Sequence, residues 1–165
     1  MDQLPIPAPL RLHRTQVRPE WVDYNAHMSE WCYLLVFGDG SDAFFRYVGI
    51  DEAYREAGHS LYTVETHLHH HGEAKLGDEL ELSVQVLGLD AKRLHTFHAL
   101  FRAGSTGEPL ATAEQMLLHV DTRAGRVEPF PPTLLDRLER ITVAHAVLPR
   151  PDAVGHVMRI PHPQT

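Results

Sequence analysis

The sequence predicts an α+β domain in two layers, a long helix laid on an antiparallel sheet. Three observations predict it. Residues 29–48 repeat apolar side chains at three- and four-residue spacing (Trp31, Leu34, Leu35, Ala43, Phe44, Tyr47, Val48), which is the helical period. Residues 79–86 alternate instead, with Leu80, Leu82, Val84 and Val86 set against Glu79, Glu81, Ser83 and Gln85, as on a half-buried strand. Several strand-like segments follow the helical stretch, and a sheet with one apolar face needs that helix as its cover.

The elements follow in order. The first ten residues hold Pro5, Pro7 and Pro9 and are expected to be extended. Residues 12–17 read as a short strand stopped by Pro19, and a loop follows. Ser29 suits the N-cap of the long helix and Gly49 its C-cap. Twenty residues span roughly 30 Å. Phe37 and Phe45 widen the stripe, so this helix is expected to be buried over much of its circumference. Gly38 and Gly40 each cost up to about 1 kcal/mol relative to Ala; either a strand or ligand passes close by, or the helix kinks. Residues 51–57 form a short helix ended by Gly58. Residues 61–70, 80–86, 94–102 and 110–120 are strands, and their short connections predict an antiparallel meander. Residues 132–141 form a last helix with Pro at its start, and the Pro- and His-rich tail is expected to be loosely held.

The bulk properties exclude several classes. A chain of 165 residues suits one domain (1–165, core about 10–141), and 43% apolar with 22% charged residues is ordinary for a globular protein. No apolar run reaches the roughly 18 residues of a membrane span, and the start lacks the basic-then-apolar pattern of a signal peptide. Cys32 is the only cysteine, which points to a cytoplasmic setting. A formal charge of −7 argues against nucleic acid as a partner and leaves room for an anionic small molecule held by local cations.

The stretch VDYNAHMSEW, residues 22–31, concentrates functional chemistry. Asp23, Asn25 and His27 fall within five positions, bounded by Trp21, Tyr24 and Trp31. Most Asp residues in such loops cap a turn.

Element order and motifs together resemble the hotdog acyl-CoA thioesterases of the 4-hydroxybenzoyl-CoA thioesterase type. That family commonly carries an Asp-x-x-Gly-His-like segment between the first strand and the central helix. Here it stands as Asp23-Tyr24-Asn25-Ala26-His27-Met28, and Leu76-Gly77-Asp78-Glu79-Leu80 is a second family-like stretch. The resemblance covers about residues 10–141 and implies a hotdog fold, with a sheet of about five strands wrapped around the central helix. Ala26 stands where the family often has Gly, so positive φ is not expected there. Ser29-Glu30 replaces a frequent Asn pair. More narrowly, residues 37–39, 58–68 and 113–121 look like the betainyl-CoA thioesterases of bacterial carnitine degradation, a domain sometimes fused to carnitine dehydrogenase.

What the resemblance implies is hydrolysis of betainyl-CoA to glycine betaine and CoA. The alternatives are another short or aromatic acyl-CoA, or acyl-CoA binding without turnover. Asp23 would attack the thioester or deprotonate water, with backbone N–H groups around 27–29 and the helix dipole receiving the oxyanion. Asn25 and His27 would position groups, and Glu65 would assist the base or face a substrate cation. A trimethylammonium is recognised by aromatic faces, and Trp21, Tyr24, Trp31, Tyr33 and Tyr62, with Met28, are the candidates. Lys75, Lys92 and Arg93 are candidates for the CoA phosphates. No cofactor is expected beyond CoA as part of the substrate. A homodimer or homotetramer with sites between subunits is implied, with no membrane partner.

His67, His69, His70 and His71 invite a metal reading. On a strand His67, His69 and His71 share one face about 7 Å apart. No cysteine lies near and no HExxH pattern occurs, so no physiological metal is expected, and a polar strand face is favoured.

Overall fold

The protein is described by a computed structural model over residues 5–160, so the outermost parts of the expected extended start and loose tail lie outside the described residues. The chain runs β1 (Leu10–Gln16), a 3-10 turn (Pro19–Trp21), α1 (Glu30–Val48), α2 (Glu52–Glu56), β2 (His59–His70), β3 (Glu79–Leu89), β4 (Arg93–Arg102), β5 (Ala111–Asp121), β6 (Arg126–Val127) and α3 (Pro132–His145). The strands form one sheet ordered β1-β3-β4-β5-β2, with β6 beside β5 and every pairing antiparallel. This is the helix-and-sheet architecture that the resemblance implied.

Strands β3, β4 and β5 form the expected meander, but β2 does not join it beside β3. It crosses to the far edge and pairs with β5, from His59 opposite Asp121 to His70 opposite Ala111. The connection 71–78 carries the chain back across one end of the sheet, tied on the way by Gly72 N–H to Leu110 O. That detour puts the 71–78 segment against the loop that precedes α1.

Helix α1 lies on one face of the sheet. Its Ser41 hydroxyl meets the Gln115 amide at 3.0 Å, and Phe37 stands edge-on to His98. Period-two alternation then puts Thr66, Leu68 and His70 of β2 on the helix side and Glu65, His67 and His69 on the other. The helix is less enclosed than the sequence suggests: Val36, Phe37, Phe44 and Val48 are buried, while Trp31, Leu34, Leu35 and Tyr47 are exposed. Trp31 and Leu34 face edge strand β2, where no further element among the described residues covers them. Gly40 is where the sheet approaches, since a Cβ there would sit 2.6 Å from Leu82 Cδ2, whereas Gly38 faces open space.

The tail is held more firmly than expected. Pro149 O accepts from Gln85 Nε2 at 3.3 Å, Gly155 N–H donates to Glu114 at 2.7 Å, and the His156 ring meets His69 at 4.3 Å. It straps the outer face of the sheet. Helix α3 packs Leu134, Leu138 and Ile141 into the core, and His145 Nδ1 accepts the Val86 N–H at 2.9 Å, beside the register shift between Val86 and Gly88. No helix among the described residues is long and apolar enough to cross a membrane.

Candidate active site

Loop 22–29 is held by its own backbone and by two neighbours. Asp23 N–H donates to His27 O at 2.9 Å, Ala26 N–H to Asp23 O at 3.0 Å, and Asn25 N–H to Asp23 Oδ1 at 2.8 Å. This tight turn requires Ala26 at φ 63°, contrary to the expectation from its side chain. Ala26 occupies the left-handed region at a steric cost. Asp23 therefore makes the Asx turn that its residue type suggests. Its Oδ2 accepts no hydrogen bond among the described residues, which leaves that oxygen for water or a thioester.

Met28 N–H donates to Ala74 O and Ser29 N–H to Trp21 O, both at 2.8 Å. These two donors were expected to face the substrate; they anchor the loop instead. The helix-start donors without a partner among the described residues are the N–H groups of Glu30 and Trp31, because Ser29 makes no side-chain cap bond and Cys32 N–H already reaches Ser29 O. An oxyanion placed there meets two N–H groups and the positive end of a nineteen-residue helix.

His27 Nε2 lies 3.0 Å from Glu73 Oε2, a partner the sequence reading did not pick out. Glu73 belongs to the 71–78 segment, which Asp78 and Arg102 brace. Asp78 Oδ2 accepts from Lys75 N–H and Arg102 Nε, and Arg102 also donates to Glu73 O. Burial works against ionisation of Asp78, but those two donors outweigh it and hold its carboxyl below the ordinary range. The Leu76–Leu80 motif thus supports the loop from behind, with Gly77 at φ 83° turning it. Cys32 is fully buried and burial pushes its thiol pKa up, so it offers no thiolate.

The other candidates are dispersed within the chain. Trp21 and Met28 are core residues, and Arg18 stacks over the Trp21 ring at 5.0 Å. Tyr33 is buried too; its oxygen accepts from Ala74 N–H at 3.0 Å and its ring edge meets His70 at 4.8 Å. Trp31, Tyr24 and Tyr62 are exposed, Tyr62 far back along β2. Glu65 faces the outer side, 3.0 Å from His67 Nε2, and is not brought beside Asp23. Lys75 pairs with His27 in a short β-bridge, so it borders the loop. Lys92 and Arg93 lie at the β3–β4 turn, the opposite end of the sheet, and Arg93 is already held by Asp90 at 2.6 Å.

The histidine run divides between the two faces of β2, with His70 inward and His67 and His69 outward. A different group, His59, His119 and Glu128, brings its ligand-type atoms within 4.8 Å of one another. These side chains already have partners: His59 Nδ1 meets Glu128 Oε1 at 2.5 Å, and His119 Nε2 meets the Tyr54 hydroxyl at 2.6 Å. The cluster sits at the start of β2, away from Asp23.

Comparison with known proteins identifies the family. Residues 17–138 match the Thioesterase-like superfamily. The chain is 47% identical to a betainyl-CoA thioesterase of Pseudomonas aeruginosa, over 92% of this chain and 96% of that protein. It is 52% identical to an L-carnitine dehydrogenase/betainyl-CoA thioesterase of Rhizobium meliloti over 89% of this chain, and spans 29% of that longer protein. Among solved structures, a Staphylococcus aureus protein in complex with CoA superposes with a TM-score of 0.85 at 26% identity, over 94% of this chain and 99% of that one.

Proposed function

This chain belongs to the thioesterase-like superfamily, and from that premise we propose that it is a hotdog-fold hydrolase that releases CoA and glycine betaine from betainyl-CoA. The observation that carries the substrate is the similarity running almost end to end through a free-standing protein named for that activity. Asp23 supplies the reacting oxygen, directly as a nucleophile or by deprotonating water. The Glu30 and Trp31 N–H groups receive the oxyanion, and the thiolate leaves without a strong general acid. Asn25 supports the Asp23 turn, while His27, steadied by Glu73, lines the approach.

The functional unit is a homo-oligomer in which a second copy pairs along β2. This is supported by the β2 edge, unpaired among the described residues, which carries exposed Tyr62 and Val64, and by exposed Trp31 and Leu34 of α1. Antiparallel pairing of two β2 edges turns the partner's β3–β4 hairpin toward this protomer's Asp23 loop. Lys75 from one copy, with Lys92 and Arg93 from the other, then serves the CoA phosphates. A CoA-linked substrate and a free, buried Cys32 fit a cytoplasmic setting.

The test is thiol release from betainyl-, acetyl-, butyryl- and benzoyl-CoA by the full chain. Betainyl-CoA is expected to show the highest kcat/KM. Comparable values across the panel favour a general short-chain thioesterase, and binding without turnover makes the protein an acyl-CoA-binding module.

A further inference from the structure

A groove of about 410 Å³ opens at the first turns of α1. Glu30, Trp31 and Leu34 line it from the helix, and Thr66, Leu68 and His70 from the inner face of β2. Its wall is tied to the Asp23 loop: His70 rests against Tyr33, Tyr33 accepts the Ala74 N–H, and Ala74 O accepts the Met28 N–H. The groove therefore borders the first turn of α1, whose Glu30 and Trp31 N–H groups have no partner among the described residues.

A betainyl group has one methylene between its carbonyl carbon and its nitrogen, so the two lie about 2.5 Å apart at ordinary bond lengths. Wherever the thioester oxygen is held, the ammonium sits within one helical turn of it. On the same chain this rules out Tyr62, eight residues before His70 and about 26 Å away along the strand. Trp21 and Tyr33 are sealed in the core. Trp31 lines the groove itself, whereas exposed Tyr24 of the Asp23 loop does not.

The position also sets an electrostatic problem. The helix end that stabilises an oxyanion carries roughly half a positive charge and repels a cation beside it. A trimethylammonium has no N–H to donate, so hydrogen bonding does not solve this; a nearby carboxylate and an aromatic face do. Glu30, in the first turn, supplies the carboxylate.

Resting on the thioesterase reading above, we infer that Glu30 and Trp31 form the specificity pair for a quaternary ammonium. Glu30 acts as countercharge and Trp31 as cation-facing wall, and a second copy on β2 roofs the groove. The pair selects charge, not shape.

The probe is tert-butylacetyl-CoA, the neutral carbon isostere of betainyl-CoA, assayed with the full-length wild type, Glu30→Gln and Trp31→Leu. Glu30 is exposed and an unchanged melting curve is expected for Glu30→Gln; for Trp31→Leu, beside the β2 pairing surface, light scattering is expected to show the wild-type mass. Wild type is expected to prefer the charged thioester, and each variant to lower that kcat/KM ratio about tenfold, mainly through KM. A wild-type ratio near one, or ratios unmoved in both variants, overturns the inference while thioester hydrolysis stands. Turnover of neither compound overturns the thioesterase reading and the inference with it.

Discussion

Ala26 shows how a single residue can mislead at the sequence level. Its methyl group argues for negative φ, yet the 23–27 turn closes through Asp23 and His27 and sets φ at 63°. The turn hydrogen bonds outweigh the local preference. Ala26→Gly should therefore stabilise the fold by about 1 kcal/mol, read from urea unfolding midpoints. At this scale the Asp23 turn was legible, because an Asp before a helix has a narrow choice of roles. The free helix-start donors were not. Met28 and Ser29 N–H groups are taken by Ala74 and Trp21, and no local pattern reveals the Ala74 partner. Glu73 stayed hidden for the same reason: it reaches His27 only because β2 ends where the loop begins.

Among the elements, α1 gives a paired test. Gly38 and Gly40 look alike in sequence, but only Gly40 faces the sheet. Gly38→Ala should raise stability by up to about 1 kcal/mol through helix propensity alone. Gly40→Ala should lose that gain and about 1 kcal/mol more, because the new methyl group meets fully buried Leu82. Thermal melts of the two variants should move in opposite directions. The strands were found from their alternation and turn residues. The place of β2 was not, because alternation specifies which face is buried and says nothing about which neighbour a strand takes. That crossover builds the site, since it frees β2 as an edge and sends 71–78 past the helix entrance.

For the molecule as a whole, the buried imidazoles set how stability depends on pH. Burial pushes the His98 pKa down to about 4 and lowers those of His119 and His145 as well. Unfolded histidines protonate near pH 6.5, so the unfolded chain binds more protons than the native one below that pH. The stability from keeping these rings neutral is complete above pH 6.5 and is lost as pH falls toward 4. His98 alone accounts for about 3 kcal/mol of the decline. Urea unfolding at pH 7.5 and 4.5 should show it, and His98→Leu should flatten the slope; an unchanged slope would remove His98 from the account. Light scattering should give at least twice the chain mass of 18.7 kDa, and charged substitutions at Tyr62 and Val64 should lower it.

The central claim is that Asp23, at the entrance of α1, drives hydrolysis of betainyl-CoA. Single-turnover release of CoA from betainyl-CoA, with wild type and Asp23→Asn compared at equal melting temperature, tests it most directly. Wild type is expected to release CoA rapidly, and the variant to lose at least about a hundredfold. An Asp23→Asn protein that releases CoA at the wild-type rate would contradict it.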